Sequence, residues 1–380
     1  ALIKKLKTFK IPYVLLVQDF SEGLRLSEMD IVVMLGDLDD PITYQNAQVN
    51  KALLVATTSS DVANTNVAFT IREVNENIPI IATCNFEASE DILSLAGCNN
   101  VLSLGEMMGT SLSRRASVGD ANAMVIGKFE ELSIAEATVS GSILVGKTLR
   151  EAKLRETVGI NVLGFWTRGV FHAPRPDEPI ATNSVLVLAG TNEQIKAYNA
   201  HFCIKKSTTE PLVIIGGGRV GRATGIALED RNLNYKIIEK QENRIKANSK
   251  YIFGDAANLE VLVEAGIEKA PCVIITTHDD DVNAYLTIYC RKLRPDIQII
   301  TRSTRERNLD TMHRAGADFV MSYASMGANA IYNLLKKSDI LMVAEGLDLL
   351  KLEVPKQLVG KSIASSCIRQ LTGCTIIALQ

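Results

Sequence analysis

Glycines follow a short apolar run in the second half of the chain, at a spacing that can bind phosphate. The run is Leu212–Ile215, and Gly216, Gly218 and Gly221 come directly after it in a G-x-G-x-x-G pattern. The run predicts a buried strand, and the residues after the glycines predict a helix. The first amides of a helix are unpaired and carry partial positive charge, so this turn could accept a pyrophosphate. A side chain at these glycines would block the close approach of backbone and phosphate.

An acidic residue follows where such a motif needs one. Residues Tyr235–Ile238 predict the next strand, which ends at Glu239, 23 residues after Gly216. A carboxylate about 20 residues after the first glycine can bind the ribose hydroxyls of a nucleotide. Because strand, glycines, helix, strand and acid occur in this order, nucleotide binding is favoured over a glycine turn in an empty α/β unit.

Length and composition limit the class of protein. A chain of 380 residues predicts two or more domains, and 47% apolar with 22% charged residues is typical of soluble proteins. A net charge of −2 gives no general attraction to nucleic acid or anionic membranes. The seven cysteines contain no C-x-x-C pair, which indicates reduced thiols rather than disulfides. The sequence has no apolar run of the roughly 20 residues that a transmembrane helix needs, and we expect no signal peptide.

One α/β pattern occurs twice in the chain. Matches at a constant shift of 219 residues include Thr57-Thr58 with Thr276-Thr277, Asp61 and Asn64 with Asp280 and Asn283, and Ala96-Gly97 with Ala315-Gly316. Short apolar strands alternate with helices in both copies, which predicts parallel, doubly wound sheets. The first copy begins after the point where its first strand and glycine loop should stand. Since a sheet without its central strand exposes unpaired edges, we expect the missing part to lie in preceding residues.

A smaller α+β pattern follows each α/β unit. Alternating residues at 128–138 predict a strand, a helix is expected at 148–156, and further strands at 161–165 and 185–188. The sequence Leu-Val-Gly-Lys at 144–147 returns at 358–361, followed by a predicted strand at 375–379, so the second small module looks incomplete. The predicted domains are 1–120 (first Rossmann-like unit), 121–204 (first small module), 205–211 (linker), 212–337 (second Rossmann-like unit) and 338–380 (second small module).

This order, with the Gly-Asp pairs at 36–37 and 254–255 and the repeated Thr-Thr and Leu-Val-Gly-Lys motifs, resembles tandem RCK (KTN) proteins, built from TrkA-N and TrkA-C domains. These are cytoplasmic regulators of potassium channels and of Trk-type potassium uptake systems. The resemblance implies a ligand-sensing gating-ring region of a prokaryotic potassium channel at the cytoplasmic face of the cell membrane. It implies a ring, with a homo-tetramer of tandem units expected, and a pore on the same chain or a separate subunit. A peripheral NAD-binding subunit of a Trk-type transporter is the alternative.

The resemblance also implies ligands and their residues. Family ligands are NAD(H), ADP or ATP, and divalent cations such as calcium. The phosphates would contact Gly216, Gly218, Arg219, Val220 and Gly221, and Glu239 would bind the adenosine ribose with Lys240 beside it. Asp255 and Ala256 would border the adenine, while Thr276, Thr277, His278 and Asp279 end the fourth strand and Arg302 ends the fifth. Asp255 could equally be a turn residue, and Asn283 is expected to cap a helix. Residues Ala324–Lys336 are an expected assembly helix, although core burial would give the same pattern.

Other chemistry is less favoured. The acids Asp279–Asp281 beside His278 suggest a cation, but consecutive residues at a helix start diverge by about 100° and more often favour the helix dipole. An NAD-dependent oxidoreductase would need a catalytic domain that the small modules do not supply, so we expect no enzyme. In the first copy, Ser59-Ser60 replaces His278-Asp279, and the acid after the second strand is ambiguous between Gln18 and Asp19, so a nucleotide there is in doubt.

Overall fold

The structure is a computed structural model with α/β and antiparallel regions. It describes residues 1–116, 122–129, 131–140, 142–167, 170–182, 184–203, 209–245, 248–335, 340–344, 347–350, 352–374 and 376–377. In these ranges, helices are too short or too polar to cross a bilayer.

The second α/β unit contains a six-stranded parallel sheet. Its strands are β11 (Leu212–Ile215), β12 (Tyr235–Glu239), β13 (Tyr251–Phe253), β14 (Cys272–Ile275), β15 (Gln298–Ser303) and β16 (Phe319–Ser322). Its helices are α10 (Arg219–Glu229), α11 (Leu259–Glu264), α12 (Asp280–Leu293) and α13 (Leu309–Ala315), and α14 (Tyr323–Leu335) follows its last strand in the sequence. The strand order β13-β12-β11-β14-β15-β16 reverses between β11 and β14, which is where open α/β sheets bind ligands. The core of this sheet is made of fully buried residues such as Val213, Val273 and Ile299.

Residues 1–104 contain five strands in the same sequence order as β12 to β16 of the second unit. The strands of this first α/β unit are β1 (Leu15–Val17), β2 (Val33–Leu35), β3 (Val55–Thr57), β4 (Ile80–Cys84) and β5 (Asn100–Ser103). Its helices are α1 (Leu2–Thr8), α2 (Phe20–Ser27), α3 (Pro41–Asn46), α4 (Asp61–Val74), α5 (Glu90–Leu95) and α6 (Leu104–Arg115). The strands form two separate sheets, β1-β2 and β3-β4-β5. Val55 and Ala56 on β3 are only half-buried, while their counterparts Ile274 and Ile275 are fully buried beside β11.

The first small module is an antiparallel sheet with the order β6-β7-β10-β8-β9. The strands are β6 (Met124–Phe129), β7 (Leu132–Thr138), β8 (Asn161–Thr167), β9 (Val170–His172) and β10 (Ser184–Gly190). The helices are α7 (Leu149–Ala152), α8 (Leu154–Val158) and α9 (Asn192–Phe202). The helix expected at 148–156 is therefore two short helices, because Lys153 between them has a left-handed backbone with φ 46°.

The last part of the chain contains the hairpin β17 (Ile340–Ala344) and β18 (Leu347–Leu350), followed by α15 (Ile363–Ser366) and α16 (Ile368–Thr372). Most of the strand predicted at 375–379 lies outside the described residues. Short 3-10 turns occur at Val49–Lys51, Glu87–Ser89, Glu242–Arg244, Glu306–Asn308 and Lys356–Leu358.

The chain packs as two compact units that do not follow the order of the sequence. Ala1–Met108 and Ser322–Lys337 form one unit, and Gly109–Met321 and Ser338–Gln380 form the other. In the first unit, α14 packs against α1, and the rings of Phe9 and Tyr332 lie 5.0 Å apart. Of the apolar residues on α14 that suggested an assembly helix, Ala328 and Ile331 are buried inside this unit, whereas Met326 and Ala330 are half-buried and Leu334 is 39% exposed.

Candidate nucleotide-binding site

The glycine turn after β11 needs glycine at two positions for steric reasons. Gly216 has a left-handed φ of 102°, and its N–H donates a hydrogen bond of 2.9 Å to the carbonyl of Ile238. A Cβ at Gly221 would lie 1.8 Å from the carbonyl oxygen of Gly216. A Cβ at Gly218, in contrast, would find no protein atom within 4 Å. The turn therefore packs tightly against its own helix but leaves open space at Gly218.

That open space lies at the start of α10. Gly218 is the capping residue and has no side chain that could accept a hydrogen bond from the first amides of the helix. The first turn of α10 contains no acidic residue that would satisfy the positive end of its dipole. Arg219 is exposed there, while Val220 is buried with 3% of its surface exposed. The helix start can therefore receive an anion.

Glu239 is tied directly to the glycine turn. Its side chain is 4% exposed, and its Oε2 accepts a hydrogen bond of 2.8 Å from the N–H of Gly217. Its Oε1 accepts a bond of equal length from the N–H of Gln241. A carboxylate keeps further lone pairs after accepting two such bonds, so Glu239 can still accept from a hydroxyl group. Lys240 beside it is exposed.

Sequence reasoning missed two residues that hold the turn. Gly217 was treated only as a spacer in the motif, yet its N–H contacts Glu239 and its carbonyl accepts a 2.9 Å hydrogen bond from Nη1 of Arg222. The N–H and the carbonyl of Gly217 are therefore both hydrogen-bonded within the protein itself. The sequence feature that could have identified this contact is the position of Arg222, which lies in the first turn of α10, four residues after Gly218.

The end of β14 supports the same turn from the other side. Thr276 is 4% exposed, and its hydroxyl donates to the carbonyl of Gly216 at 2.9 Å and lies 3.1 Å from that of Ile215. Thr277 instead donates its hydroxyl to Oδ1 of Asn283 at 2.6 Å. Thr276 therefore shapes the turn, whereas Thr277 joins a network at the strand ends.

Asn283 does not cap its helix, so that prediction was wrong. Its Nδ2 donates to the carbonyls of Thr277 and Arg302, at 3.0 and 3.1 Å, and so bridges the ends of β14 and β15. The cap of α12 is Asp279, whose Oδ1 accepts from the N–H groups of Asp281 and Val282. The cap and the bridge together fix the loop that carries His278.

His278 and Arg302 lie on neighbouring strand ends. His278 is exposed, and its carbonyl accepts a hydrogen bond of 3.1 Å from the hydroxyl of Thr304. The side chain of Arg302 is 5% exposed, and its Nη2 donates to the same hydroxyl at 3.0 Å. Thr304 therefore connects the guanidinium to the loop after β14.

Asp255 and Ala256 follow β13 at the same edge of the sheet. The Asp255 carboxylate accepts a hydrogen bond of 2.9 Å from the N–H of Ala257, which is the turn role considered above. Asp255 is exposed, while Ala256 is buried in the core of the unit. The sequence-predicted residues thus all lie on the carboxyl edge of one sheet, and direct hydrogen bonds join Glu239 and Thr276 to the turn.

The acids at the start of α12 serve the fold. Burial opposes ionisation of Asp280, but hydrogen bonds from the Thr304 N–H, the Asn308 side chain, the Arg305 N–H and the Ser303 hydroxyl hold the pKa of this carboxyl below its ordinary value. Its oxygens are therefore engaged by protein donors. The described residues contain no group of three or more His, Cys, Asp or Glu side chains that could hold a metal ion.

Family models match the two repeated units and the module between them. The TrkA-N domain matches residues 1–104 and 212–323, and the TrkA-C domain matches residues 134–202. The TrkA-C match thus lies between the two TrkA-N matches.

Two of the curated relatives are potassium transport proteins. Potassium channel protein 1 of Methanocaldococcus jannaschii is 29% identical over 202 residues, which cover 50% of this chain and 58% of that protein. The Trk system potassium uptake protein TrkA homolog of Archaeoglobus fulgidus is 23% identical over 366 residues, covering 92% and 82%. The chain thus spans little more than half the length of the first relative.

Solved structures of GsuK resemble the chain over nearly its whole length. The GsuK RCK domain and the GsuK channel bound to NAD are each 34% identical with a TM-score of 0.73, and cover 99% of this chain and 82% and 68% of those chains. GsuK bound to ADP is 26% identical with a TM-score of 0.59, covering 88% and 66%. With two TrkA-N matches that together span more than half of the sequence, the chain belongs to the TrkA-N domain family and has the tandem RCK architecture.

Proposed function

We propose that this chain is the nucleotide-sensing regulatory region of a potassium channel. The observation that carries the proposal is the preformed turn between β11 and α10. It combines open space at Gly218, an uncapped helix start and the buried Glu239 carboxylate. These are the features that bind the phosphates and the ribose of an adenine nucleotide. The NAD- and ADP-bound structures of GsuK support the same class of ligand.

Each part of the nucleotide has a matching group in this proposal. The pyrophosphate would accept hydrogen bonds from the amides at Gly218–Gly221, next to the exposed Arg219. Glu239 would accept from the ribose hydroxyls, and Asp255 and Ala256 would border the adenine. The end of β14 and Arg302 would face the distal part of the ligand, where a guanidinium favours phosphate.

The regulatory step follows from differential binding. A nucleotide changes the shape of an assembly only as far as its affinities for the two shapes differ. We place the chain at the cytoplasmic face of the membrane, in a ring of tandem units whose change of shape opens or closes the pore. The proposed role is binding rather than catalysis, since His278 is the one histidine at this sheet edge and no substrate domain accompanies it among the described residues.

A peripheral regulatory subunit of a Trk-type transporter is the second candidate. The Archaeoglobus TrkA homolog favours it, because that alignment runs through both α/β units and the module between them. The site would bind nucleotide in the same way in both candidates. Only the partner differs: a pore domain on the same polypeptide or a separate membrane subunit.

The proposal is tested by calorimetric titration of NAD, NADH, ADP and ATP into the chain and into Glu239→Ala. We expect at least one nucleotide to bind, with affinity reduced about tenfold or more in the variant, because a hydrogen bond to a charged group contributes about 1.5–3 kcal/mol. Glu260→Ala, which removes an exposed carboxylate on α11, is the matched control and should bind normally.

Circular dichroism must show that Glu239→Ala remains folded, since its partners Gly217 and Gln241 lose an acceptor. If none of the four nucleotides binds, or if the variant binds as tightly as the parent, the glycine turn is structural and the proposed function fails. If the chain consumed NADH together with a carbonyl substrate, it would be an enzyme, and the proposed regulatory function would be wrong.

A further inference from the structure

The second half of α6, residues 109–115, packs against the helix that begins at the candidate phosphate turn. Gly109 is buried, and a Cβ on it would lie 2.5 Å from the Cβ of Ala223 and 2.6 Å from the backbone nitrogen of Thr224, both on α10. The backbones of the two helices are therefore in direct contact here, which a side chain on α6 would prevent. Gly109 and α10 belong to the same compact unit.

This contact lies on the side of α10 that faces away from the turn. Ala223 follows Gly221 by two residues, and successive helical residues are about 100° apart, so these two lie on opposite sides of the helix. Gly221 packs against the carbonyl oxygen of Gly216. Ala223 also follows Arg219, the first residue of α10, by four residues, which is about 6 Å along the helix axis. The start of α10 is therefore held between the glycine turn on one side and α6 on the other.

A hydrogen bond joins the same two helices at the other end of α10. Arg231, which lies just after α10, donates from Nη1 to the carbonyl of Ser113 on α6. That carbonyl is one of the last four of α6, which find no partner within their own helix. Since Ser113 is 1% exposed, its carbonyl needs a donor from the protein. Helix α6 thus contacts α10 near its start and just after its end.

The end of α6 is also anchored independently of α10. The carbonyl of Arg115 accepts a hydrogen bond of 3.0 Å from Nε2 of Gln298 on β15. Its guanidinium forms an ion pair of 3.0 Å with Glu136 on β7, and the two side chains are 16% and 6% exposed. Its Nη1 contacts Sδ of Met321 at 2.8 Å. Because the sheet and the small module hold α6 in place, α10 would have to move if Gly109 gained a side chain.

We infer that α6 regulates the affinity of the candidate nucleotide site, with Gly109 as a positioning residue that acts through α10. The inference rests on the proposed function. Phosphate would bind the amides at the start of α10, so displacement of this helix weakens the phosphate contacts. The groups proposed for ribose and adenine, Glu239 and Asp255, lie at the ends of β12 and β13 and stay in place. By linkage, a nucleotide that needs α6 docked against α10 also stabilises the docked α6.

Hydrogen exchange in the unaltered chain tests this linkage. NAD and ADP are each added at saturating concentration, and exchange is followed by mass spectrometry. We expect slower exchange of the amides at 109–115 and no change in α9, which lies in the small module and serves as the internal control. If a nucleotide binds and exchange at 109–115 does not change, the inference is wrong. Equal slowing in α9 would indicate general stabilisation and would also contradict it.

A substitution at the helix contact tests the role of Gly109. In Gly109→Ala we expect the affinity for NAD and ADP to fall about tenfold or more in calorimetry, which is within the usual range of coupling between sites. Adenosine, which has no phosphate, should bind as it does to the parent in saturation-transfer NMR. Gly327→Ala is the matched control and should bind all three ligands normally. It also replaces a buried helical glycine, but on α14, where the nearest atom to the new Cβ is the end of the Leu104 side chain at 3.1 Å.

Two results with Gly109→Ala would overturn the inference. They are unchanged affinity for NAD and ADP, and an equal loss of affinity for adenosine, which would indicate general damage to the fold. If circular dichroism shows that this variant does not fold, Arg231→Ala replaces it, because it removes the other contact with α6 and should show the same selective loss. A parent chain that binds neither NAD nor ADP contradicts the proposed function itself. Binding by the parent without these effects contradicts only the regulation by α6.

Discussion

The two α/β units share one supporting network and differ at the edge that would meet a ligand. In the first unit, Arg72 donates to the carbonyls of Gly97 and Ile78. In the second unit, Arg291 donates to those of Gly316 and Ile297, each 219 residues later in the sequence. This side chain ties the long helix to the next strand and to the turn before the last strand in both copies.

A buried carboxylate is repeated in the same way. Asp61 accepts hydrogen bonds from the N–H groups of Asn85 and Phe86, and Asp280 accepts from those of Thr304 and Arg305. Each acid joins the start of its helix to the loop after the neighbouring strand. The scaffold of the duplicated unit has therefore kept its polar contacts.

The edge of the sheet diverges. In the ladder of the second unit Glu239 pairs with Phe253, and the corresponding pair in the first unit is Val17 with Leu35. The acid expected at Gln18 or Asp19 is thus absent from that position, and Asp19 instead caps α2. Val17 therefore stands where the second unit has the carboxylate of Glu239.

The hydroxyl of the first threonine shows the same divergence. Thr276 donates to the carbonyl of Gly216, whereas its counterpart Thr57 donates to Oδ1 of Asn64 at 2.6 Å. At three other positions of this edge, the first unit has Ser59, Ser60 and Thr83 where the second unit has His278, Asp279 and Arg302. Duplication has thus preserved the polar scaffold while the ligand edge changed, and nucleotide binding is expected of the second unit.

The largest effect is expected from Gly221→Ala, which tests whether the turn requires a residue without a side chain at this position. Its Cβ would lie 1.8 Å from the Gly216 carbonyl oxygen, so the strand or the helix must move. We expect a loss of about 3 kcal/mol or more in the free energy of unfolding of the second unit, measured with urea. Gly218→Ala is the matched control and should cost about 1 kcal/mol or less, because a Cβ there meets no protein atom and only the weaker capping by alanine is lost. Similar losses in the two variants would contradict this geometry.

The next effect compares the two buried acids directly. Asp61→Ala and Asp280→Ala each leave backbone N–H groups without an acceptor, which costs about 1–3 kcal/mol per buried donor. We expect each variant to lose about 2 kcal/mol or more in denaturant unfolding, and the two losses to be similar. A large loss in one unit and none in the other would show that the shared network is not energetically equivalent.

The pH dependence of stability compares the same two carboxylates, Asp61 and Asp280. Burial raises the pKa of both carboxyls, but hydrogen bonds from the following loop outweigh it and lower the pKa below the ordinary value in each unit. A lowered folded pKa stabilises the protein above the unfolded pKa of about 3.9, and this contribution is lost as pH falls through the folded value. Asp61→Asn and Asp280→Asn should therefore flatten the fall in stability below about pH 4.

The smallest effect is expected from Asp318→Asn, which makes the second unit like the first. Asn99 accepts from Arg72 and from the N–H of Ile80, and Asp318 accepts from Arg291 and from the N–H of Ile299. Since an amide keeps both bonds, we expect a loss below about 1 kcal/mol in thermal or urea unfolding. A loss comparable to that of Asp280→Ala would mean that the ion pair itself stabilises the second unit.

Local sequence predicted the parallel sheets, and it predicted residues that the structure brings to one edge of a sheet, because strand periodicity, glycine spacing and a single acid are local signals. The duplication gave the correspondence between units. The sequence alone could not predict the bridge made by Asn283, because it depends on two strand ends that meet in space. The role of Arg222 was also not predictable, because it depends on the path of the turn. The break at Lys153 was hidden because a left-handed lysine has no distinctive sequence pattern.

The position of α14 affects how the chain folds during synthesis. This helix follows the second sheet in sequence but completes the first unit, where it packs against α1 and where Gly327 lies close to Leu104. At about 5–20 residues per second, the ribosome needs on the order of tens of seconds to pass from the end of the first sheet to this helix. During that interval α14 has not yet been synthesised, so the surface of α1 that packs against it stays uncovered, while the second sheet can already form. The first unit therefore stays incomplete while residues 109–321 are synthesised, and during that time it is open to chaperones and to wrong pairing.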